Sequence, residues 1–408
     1  MQYKKPNLIC YWLTQIVCWI VATFVFRRKF LRNEIRGKRG PYVVIANHQA
    51  ALDFVNLFGA TSRPLNFVIS NSFYNTLPIR GFMQRLGIIP KQQFQTTVRD
   101  LKRMKTVTDQ GGRLVVYPAG LMCEDGLSTP IPSATYKFLK WMGVDIYVAR
   151  SSGTYFVMPK WNKGLHPGRT YLDIYKLFSA EELKEMDLEE VKRRTDEALL
   201  FDAYREQENN PVKYAGGNDL RGLEHVLYQC PHCGQEFAME VRDGGRLRCG
   251  ACGYEQQSDA YGFLHNKGEG PEIRYVSDWS RLIYKQTKEK IVSGQLTALR
   301  CSTKILMIDY DCKKFVEVGQ GTLELTQEQF TIDAHIRGEK TVLTVPVAGV
   351  PSLPFTPGKF LEVQRGSDVY RCVLEDGRLV MKFINMVKIF YELNKAAIPV
   401  KEKKPEVV

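Results

Sequence analysis

The sequence predicts an α/β layered domain behind an apolar N-terminal helix, then a small cysteine-bearing module and a β-rich domain closed by one helix. Three observations carry this reading. Residues 42–178 alternate short β-prone runs with amphipathic helix patterns, which implies a layered α/β sheet. Cys230, Cys233, Cys249 and Cys252 fall into two Cys-x2-Cys pairs. From residue 300 onward the β-prone runs are short and split by turn residues, until an apolar helix pattern ends them. At 408 residues the chain exceeds one ordinary core, and 44% hydrophobic with 25% charged residues describes a folded protein.

The first element is "LICYWLTQIVCWIVATFVF", residues 8–26, nineteen positions without a charge. As a helix it would measure roughly 28 Å, close to the hydrocarbon thickness of a bilayer. Tyr11, Trp12 and Trp19 suit an interface, and Lys4, Lys5, Arg27, Arg28 and Lys29 could reach headgroups. Residues 1–30 are therefore expected to form a membrane-anchoring helix, with spanning and one-leaflet placement both open. Residues 27–40 add seven Lys or Arg against the single acid Glu34, a large share of the net charge of +13. Such a basic run beside a membrane segment predicts that the remainder faces the cytoplasm.

The α/β elements follow in order. "YVVIAN" reads as a strand, with a helix beginning near Asp53. "VRDLKRMKTVTDQ" carries Val98, Leu101 and Met104 at helical spacing, and the Gly111-Gly112 pair stops it before the strand "RLVVYP". "SATYKFLKWM" is expected as a helix capped by Ser133, then the strands "VDIYVAR" and "TYLDIYKLF". Ser179 with Glu182 predicts a capping box on a further helix. Residues 206–219 are polar with Gly and Pro, the pattern of a linker.

Residues 220–268 hold "CPHCG" and "CGACG", fifteen residues apart, with Gly234 and Gly253 after the second cysteine of each pair. This is the spacing of a four-thiolate zinc ribbon, a closed structural site with no open position for water. Residues 224–265 carry three arginines against six acids, which argues against nucleic acid as a partner. Residues 269–396 are expected as a β-rich domain whose sheet and terminal helix resemble the pleckstrin-homology-like or GRAM-like fold in architecture. The tail 397–408 is charged.

"VVIANHQAALDF", residues 43–54, sets His48 five residues before Asp53. Histidine can act as a general base near neutral pH, and a carboxylate on its other ring nitrogen fixes the tautomer. Five residues are about 140° around a helix, so the pair can meet only with His48 on a loop and Asp53 in the first helical turn.

With this block in place, residues 31–205 resemble the glycerolipid acyltransferase superfamily. "NHQAALD" matches its Asn-His-x4-Asp block, "GFMQRLGIIPK" (81–91) lies where the second block belongs, and "VVYPAGLMCEDG" (115–126) where the third does. The resemblance implies a membrane-bound O-acyltransferase. Acyl-CoA or acyl-carrier protein would donate a chain to the hydroxyl of a lysophospholipid or other glycerolipid, with His48 as base and Asp53 behind it. It implies substrate contacts at Asn47, Lys91, Tyr117, Pro118, Ala119 and Gly120.

The departures bear on the acceptor. Ala119 stands where the family has glutamate, Met122 where it has arginine, and Lys91 where the second block ends in arginine. With Glu124 and Asp125 close by, a less anionic acceptor than lysophosphatidate is expected. Two alternatives remain open: a catalytically silent lipid binder that kept the fold, and an ordinary lysophosphatidate acyltransferase whose phosphate site is rebuilt from Lys91 with Arg85 or Arg150.

Overall fold

A computed structural model describes residues 5–93, 97–366 and 368–397, so Lys4 and the charged tail from residue 398 lie outside the described residues. The chain divides into two compact units, Met1–Leu282 with Ile308–Phe315, and Ile283–Met307 with Val316–Val408.

The first unit is built on a seven-stranded sheet. Its strands are β1 (Lys29–Asn33), β2 (Tyr42–Ala46), β3 (Asn66–Ser70), β4 (Ile89–Lys91), β5 (Arg113–Val116), β6 (Asp145–Ser152) and β7 (Tyr171–Phe178), in the order β1-β7-β6-β2-β5-β3-β4. β2 is parallel to both β5 and β6, and all five of its residues are buried. That explains its unbroken apolar run, since a central parallel strand is covered on both faces. The core gathers Val43, Ile45, Leu114, Ile146 and Val148 from the sheet with Met104, Leu139 and Val191 from the helices.

The helices Val98–Asp109 and Ala180–Glu185 each start on a complete capping box, Thr97 with Asp100 and Ser179 with Glu182. Ser133 precedes the helix Ala134–Met142 but is itself in helical conformation and makes no capping bond.

Of the two placements left open for the N-terminal helix, the spanning one is not supported. The helix Leu8–Phe24 has 17 residues, and no helix among the described residues is long and apolar enough to cross a membrane. Its Tyr11, Cys18 and Ala22 form a buried stripe. The Tyr11 ring stacks on Phe58 at 5.1 Å, and the Gln15 amide donates to the carbonyls of Phe58 and Thr61 at 2.9 and 2.7 Å. One face is thus spent on the domain, while Ile9, Trp12, Leu13, Ile16, Val17, Trp19, Ile20 and Phe24 stay exposed. The basic run is also partly committed: Arg32 grips Asp173 through two bonds of 2.6 Å, and Arg28 donates to the Asn56 carbonyl.

Residues 206–219 are not a free linker. The helix Ala203–Asn209, capped by Asp202, takes their first part, and Gln207 and Tyr214 are buried, with Tyr214 N bonded to the Ala260 carbonyl at 2.9 Å. The cysteine module therefore lies in the first unit. Its four strands, β8 (Met239–Arg242), β9 (Arg246–Cys249), β10 (Glu255–Ser258) and β11 (Leu264–Asn266), form a separate antiparallel sheet.

The unit boundary falls within the helix Val276–Val292, so residues 269–396 do not begin as sheet. The second unit holds most of a seven-stranded antiparallel sheet from β12 (Ala298–Asp309), β13 (Lys314–Thr326), β14 (Gln329–Ile336), β15 (Glu339–Pro346), β16 (Phe355–Thr356), β17 (Phe360–Arg365) and β18 (Asp368–Leu374). The helix Leu379–Ala397 closes it, burying Phe383, Met386, Ile389 and Phe390.

Candidate active site and cysteine cluster

β2 ends at Ala46, and the next residues turn across the C-terminal edge of the sheet. Asn47 clamps this turn to β6: its amide donates to the Ser151 carbonyl and accepts from Ser151 N, both at 2.8 Å. Gln49, fully buried, adds a bond to the same carbonyl and accepts from Thr154 Oγ1 and Tyr155 N. Both side chains hold the loop.

Between them His48 Nδ1 lies 2.9 Å from Asp53 Oδ2, with Asp53 in the first turn of the helix Asp53–Phe58. Asp53 is 1% exposed, and the same oxygen accepts the backbone N–H groups of Gln49 and Ala50 at 2.7 and 2.9 Å. Three donors on one oxygen fix the carboxylate. The Nδ1 proton then belongs to this bond, which leaves Nε2 as the acceptor on a ring that lines a cavity.

β5, the neighbour of β2, delivers Tyr117 one residue past its end. The Tyr117 ring lies 4.4 Å from the His48 ring at 31°. Burial, and then the charge of Asp53, pushes the Tyr117 hydroxyl well above the usual tyrosine range. That hydroxyl and Asp53 Oδ1 are buried without a hydrogen-bond partner among the described residues. Gly120 adopts φ +70 to close the turn onto the Tyr117 carbonyl at 3.0 Å. Cys123 N ties this loop to the His48 carbonyl at 3.1 Å.

The cavity, about 270 Å³, runs from Asn47 and His48 past Pro118, Ala119 and Leu121 to Ile131, Tyr136, Lys192, Asp196, Leu199 and Phe201. Of the residues expected to contact substrate, Asn47, Pro118 and Ala119 line it. Tyr117 and Gly120 are not among its lining residues, although both belong to the loop that supplies Pro118 and Ala119. Lys91 does not line it. It ends β4, three strand spacings (roughly 14 Å) from β2. Burial lowers its pKa, and it donates to the neighbouring Gln92 carbonyl at 3.2 Å. Arg150 is paired with Glu206 at 2.5 Å.

Glu124 and Asp125 do not line the cavity either. The Asp125 carboxylate accepts from Ser280 Oγ at 2.7 Å and from Leu127 N at 3.0 Å. Gln49, Lys192 and Asp196 are the participants that sequence reasoning missed. Gln49 fills an unspecified position of the first block, and the other two lie more than sixty residues beyond the third.

Residues 27–159 match the family described as Acyltransferase. In this segment the chain is acyltransferase-like. The match takes in His48, Asp53 and the Tyr117 loop and stops short of the cysteine module. Among solved structures, the chain is similar to the crystal structure of the 1-acyl-sn-glycerophosphate (LPA) acyltransferase PlsC from Thermotoga maritima, with 19% identity and a TM-score of 0.38 over 45% of this chain and 72% of that one. No curated protein matches.

Beyond the acyltransferase-like segment, the Sγ atoms of Cys230, Cys233, Cys249 and Cys252 all lie within 4.8 Å of one another. Cys230–Cys252 and Cys233–Cys249 are 3.7 and 3.8 Å apart. Tetrahedral zinc with sulfur at about 2.3 Å separates its ligands by roughly 3.8 Å, so the donor set fits that ion. Gly234 and Gly253, at φ +74 and +79, let their N–H groups turn back to the Cys230 and Cys249 carbonyls.

Proposed function

We propose that the chain is a lysophospholipid O-acyltransferase working at a membrane surface. The observation that carries this is the His48–Asp53 pair: a ring whose Nδ1 is committed to a buried carboxylate and which lines a cavity, inside an acyltransferase-like segment. His48 Nε2 takes the proton of the acceptor hydroxyl as its oxygen attacks the thioester carbonyl of acyl-CoA or acyl-carrier protein. The tetrahedral adduct collapses to the ester, the C–S bond breaks, and the imidazolium returns the proton to the departing sulfur. Asp53 stabilises the imidazolium between the two transfers.

Zinc on the four thiolates would supply a structural crosslink rather than chemistry. The exposed apolar face of the helix Leu8–Phe24, with Lys5, Arg27 and Lys29 near its ends, supports docking into one leaflet, with the domain on the cytoplasmic side.

The test follows thiol release from acyl-CoA, and separately from acyl-carrier protein, with and without a lysophospholipid. Acceptor-dependent release by the wild type that His48→Ala lacks supports the reading. Release that ignores the acceptor, or survives in His48→Ala, counts against it.

A further inference from the structure

Resting on the acyltransferase reading above, we propose that Lys192 and Asp196 form a headgroup subsite for a zwitterionic lysophospholipid, with its phosphate diester at Lys192 and its ammonium at Asp196. The two residues are four apart on the helix Leu188–Leu199, hence on one face, and both line the cavity that begins at His48.

Their bonding states differ in a way that suits this use. Arg193, between them in sequence, is satisfied by Glu190 and Glu197 at 2.6 and 2.8 Å, and Arg194 lies 3.8 Å from Glu182. Lys192 has no ion pair among the described residues. Asp196 is held from one side, where the Tyr136 hydroxyl donates to its Oδ1 at 2.6 Å. The cavity thus carries, at its rim, an exposed cation without an ion pair on the same helix face as an anchored carboxylate, and Ser128 and Thr129 add hydroxyl donors to its lining.

Candidate ligands sort by charge. A phosphomonoester brings close to two negative charges to a single point cation and meets Asp196 as a repulsive neighbour. The phosphates of an acyl-CoA donor leave Asp196 without a counterion. A neutral glycerolipid uses neither charge. A phosphate diester carrying an ammonium a few bonds away satisfies both. A primary ammonium also donates hydrogen bonds to Asp196, which a quaternary one cannot. The apolar stretch from Leu121 to Phe201 then faces the glycerol and the start of the chain.

The test is a competition of four lysolipids in equal amounts in mixed micelles, bearing ethanolamine, choline, a phosphomonoester or no headgroup, with products resolved by mass. The wild type should prefer ethanolamine, then choline. Lys192→Ala should cut kcat/KM for both zwitterions several-fold to about tenfold and leave the neutral acceptor nearly unchanged. Asp196→Lys should move the preference toward the phosphomonoester, a reversal that mere loss of structure would not produce. Asp196→Asn, which keeps an acceptor for Tyr136, should abolish the ethanolamine preference alone.

Headgroup preference unchanged in these variants would overturn the subsite. So would a uniform loss on all acceptors, or a change in acyl-chain length selection only. Acylation by the wild type without discrimination overturns the subsite alone, whereas no acylation of any acceptor overturns the acyltransferase reading with it.

Discussion

His48 holds its place through contacts that differ in what they supply, and substitutions should separate them. His48→Ala removes the base and should lower transfer by at least roughly 10²-fold with the fold and vesicle binding retained. Asp53→Asn leaves an acceptor for the ring and for Gln49 N and Ala50 N but removes the charge beside the imidazolium, so kcat should fall with little change in acceptor KM. Tyr117→Phe keeps the ring over His48, and Tyr117→Leu does not. Steady-state kinetics should therefore show the leucine variant clearly slower than the phenylalanine one; equal rates would remove any positioning role for the ring. The Asn-His-x4-Asp spacing was legible because its geometry is local. The Gln49 clamp was not, since its partners Ser151 and Thr154 lie more than a hundred residues away. The surroundings of Lys91 and Asp125 were illegible for the same reason. Motif order does not tell that Lys91 ends the edge strand β4 or that Asp125 accepts from Ser280.

Two elements translate such long-range ties into testable behaviour. The helix Val276–Val292 bonds the cysteine module through Trp279, whose indole donates to the Gln229 carbonyl at 2.9 Å beside Cys230. One residue on, Ser280 holds Asp125, and Arg281 pairs at 2.9 Å with Asp202, the residue after the cavity-lining Phe201. Freshly purified, reduced protein should contain one zinc per chain by elemental analysis. Removing it should raise hydrogen exchange in residues 224–265 and, through Trp279 and Ser280, in residues 120–130 as well. Exchange that rises in the first segment only would cut this connection. The cysteine spacing announced itself because both turns are local, but nothing in the sequence marked Ser280 as the partner of Asp125. The first helix shows the converse limit. Its composition left spanning and one-leaflet placement both open, because Tyr11, Cys18 and Ala22 look lipid-ready until the helices and loops they pack against are known. Trp12→Glu with Ile16→Glu changes exposed positions only, so stability should shift little, within roughly ±0.5 kcal/mol at each site. Cosedimentation with anionic phospholipid vesicles should fall several-fold. Unchanged cosedimentation would remove this face as the docking surface.

At the scale of the whole molecule, alternating patterns revealed the first sheet and the switch to β-rich sequence revealed the second, because each periodicity reports which faces are covered. The strand order β1-β7-β6-β2-β5-β3-β4 was not legible, as nothing in a run of apolar residues names its neighbours. Yet that order places His48 and Tyr117 on adjacent loops at the carboxyl ends of neighbouring strands, where ligands of open α/β sheets bind. The net charge of +13 adds a further expectation: binding to anionic vesicles should weaken as salt rises from 0.05 to about 0.5 M, which cosedimentation can follow. Salt-independent binding would leave only the apolar helix face to explain it. In the function proposed above, His48 drives acyl transfer to a lysolipid hydroxyl. Its most direct measurement is mass-spectrometric detection of the new ester when the purified full chain meets isotope-labelled acyl thioester and lysophospholipid vesicles. Repeated turnover by the wild type, with His48→Ala at least about 10²-fold lower at equal vesicle binding, is the expected result. No labelled ester from either donor with any lysolipid, or equal yield from His48→Ala, would contradict it.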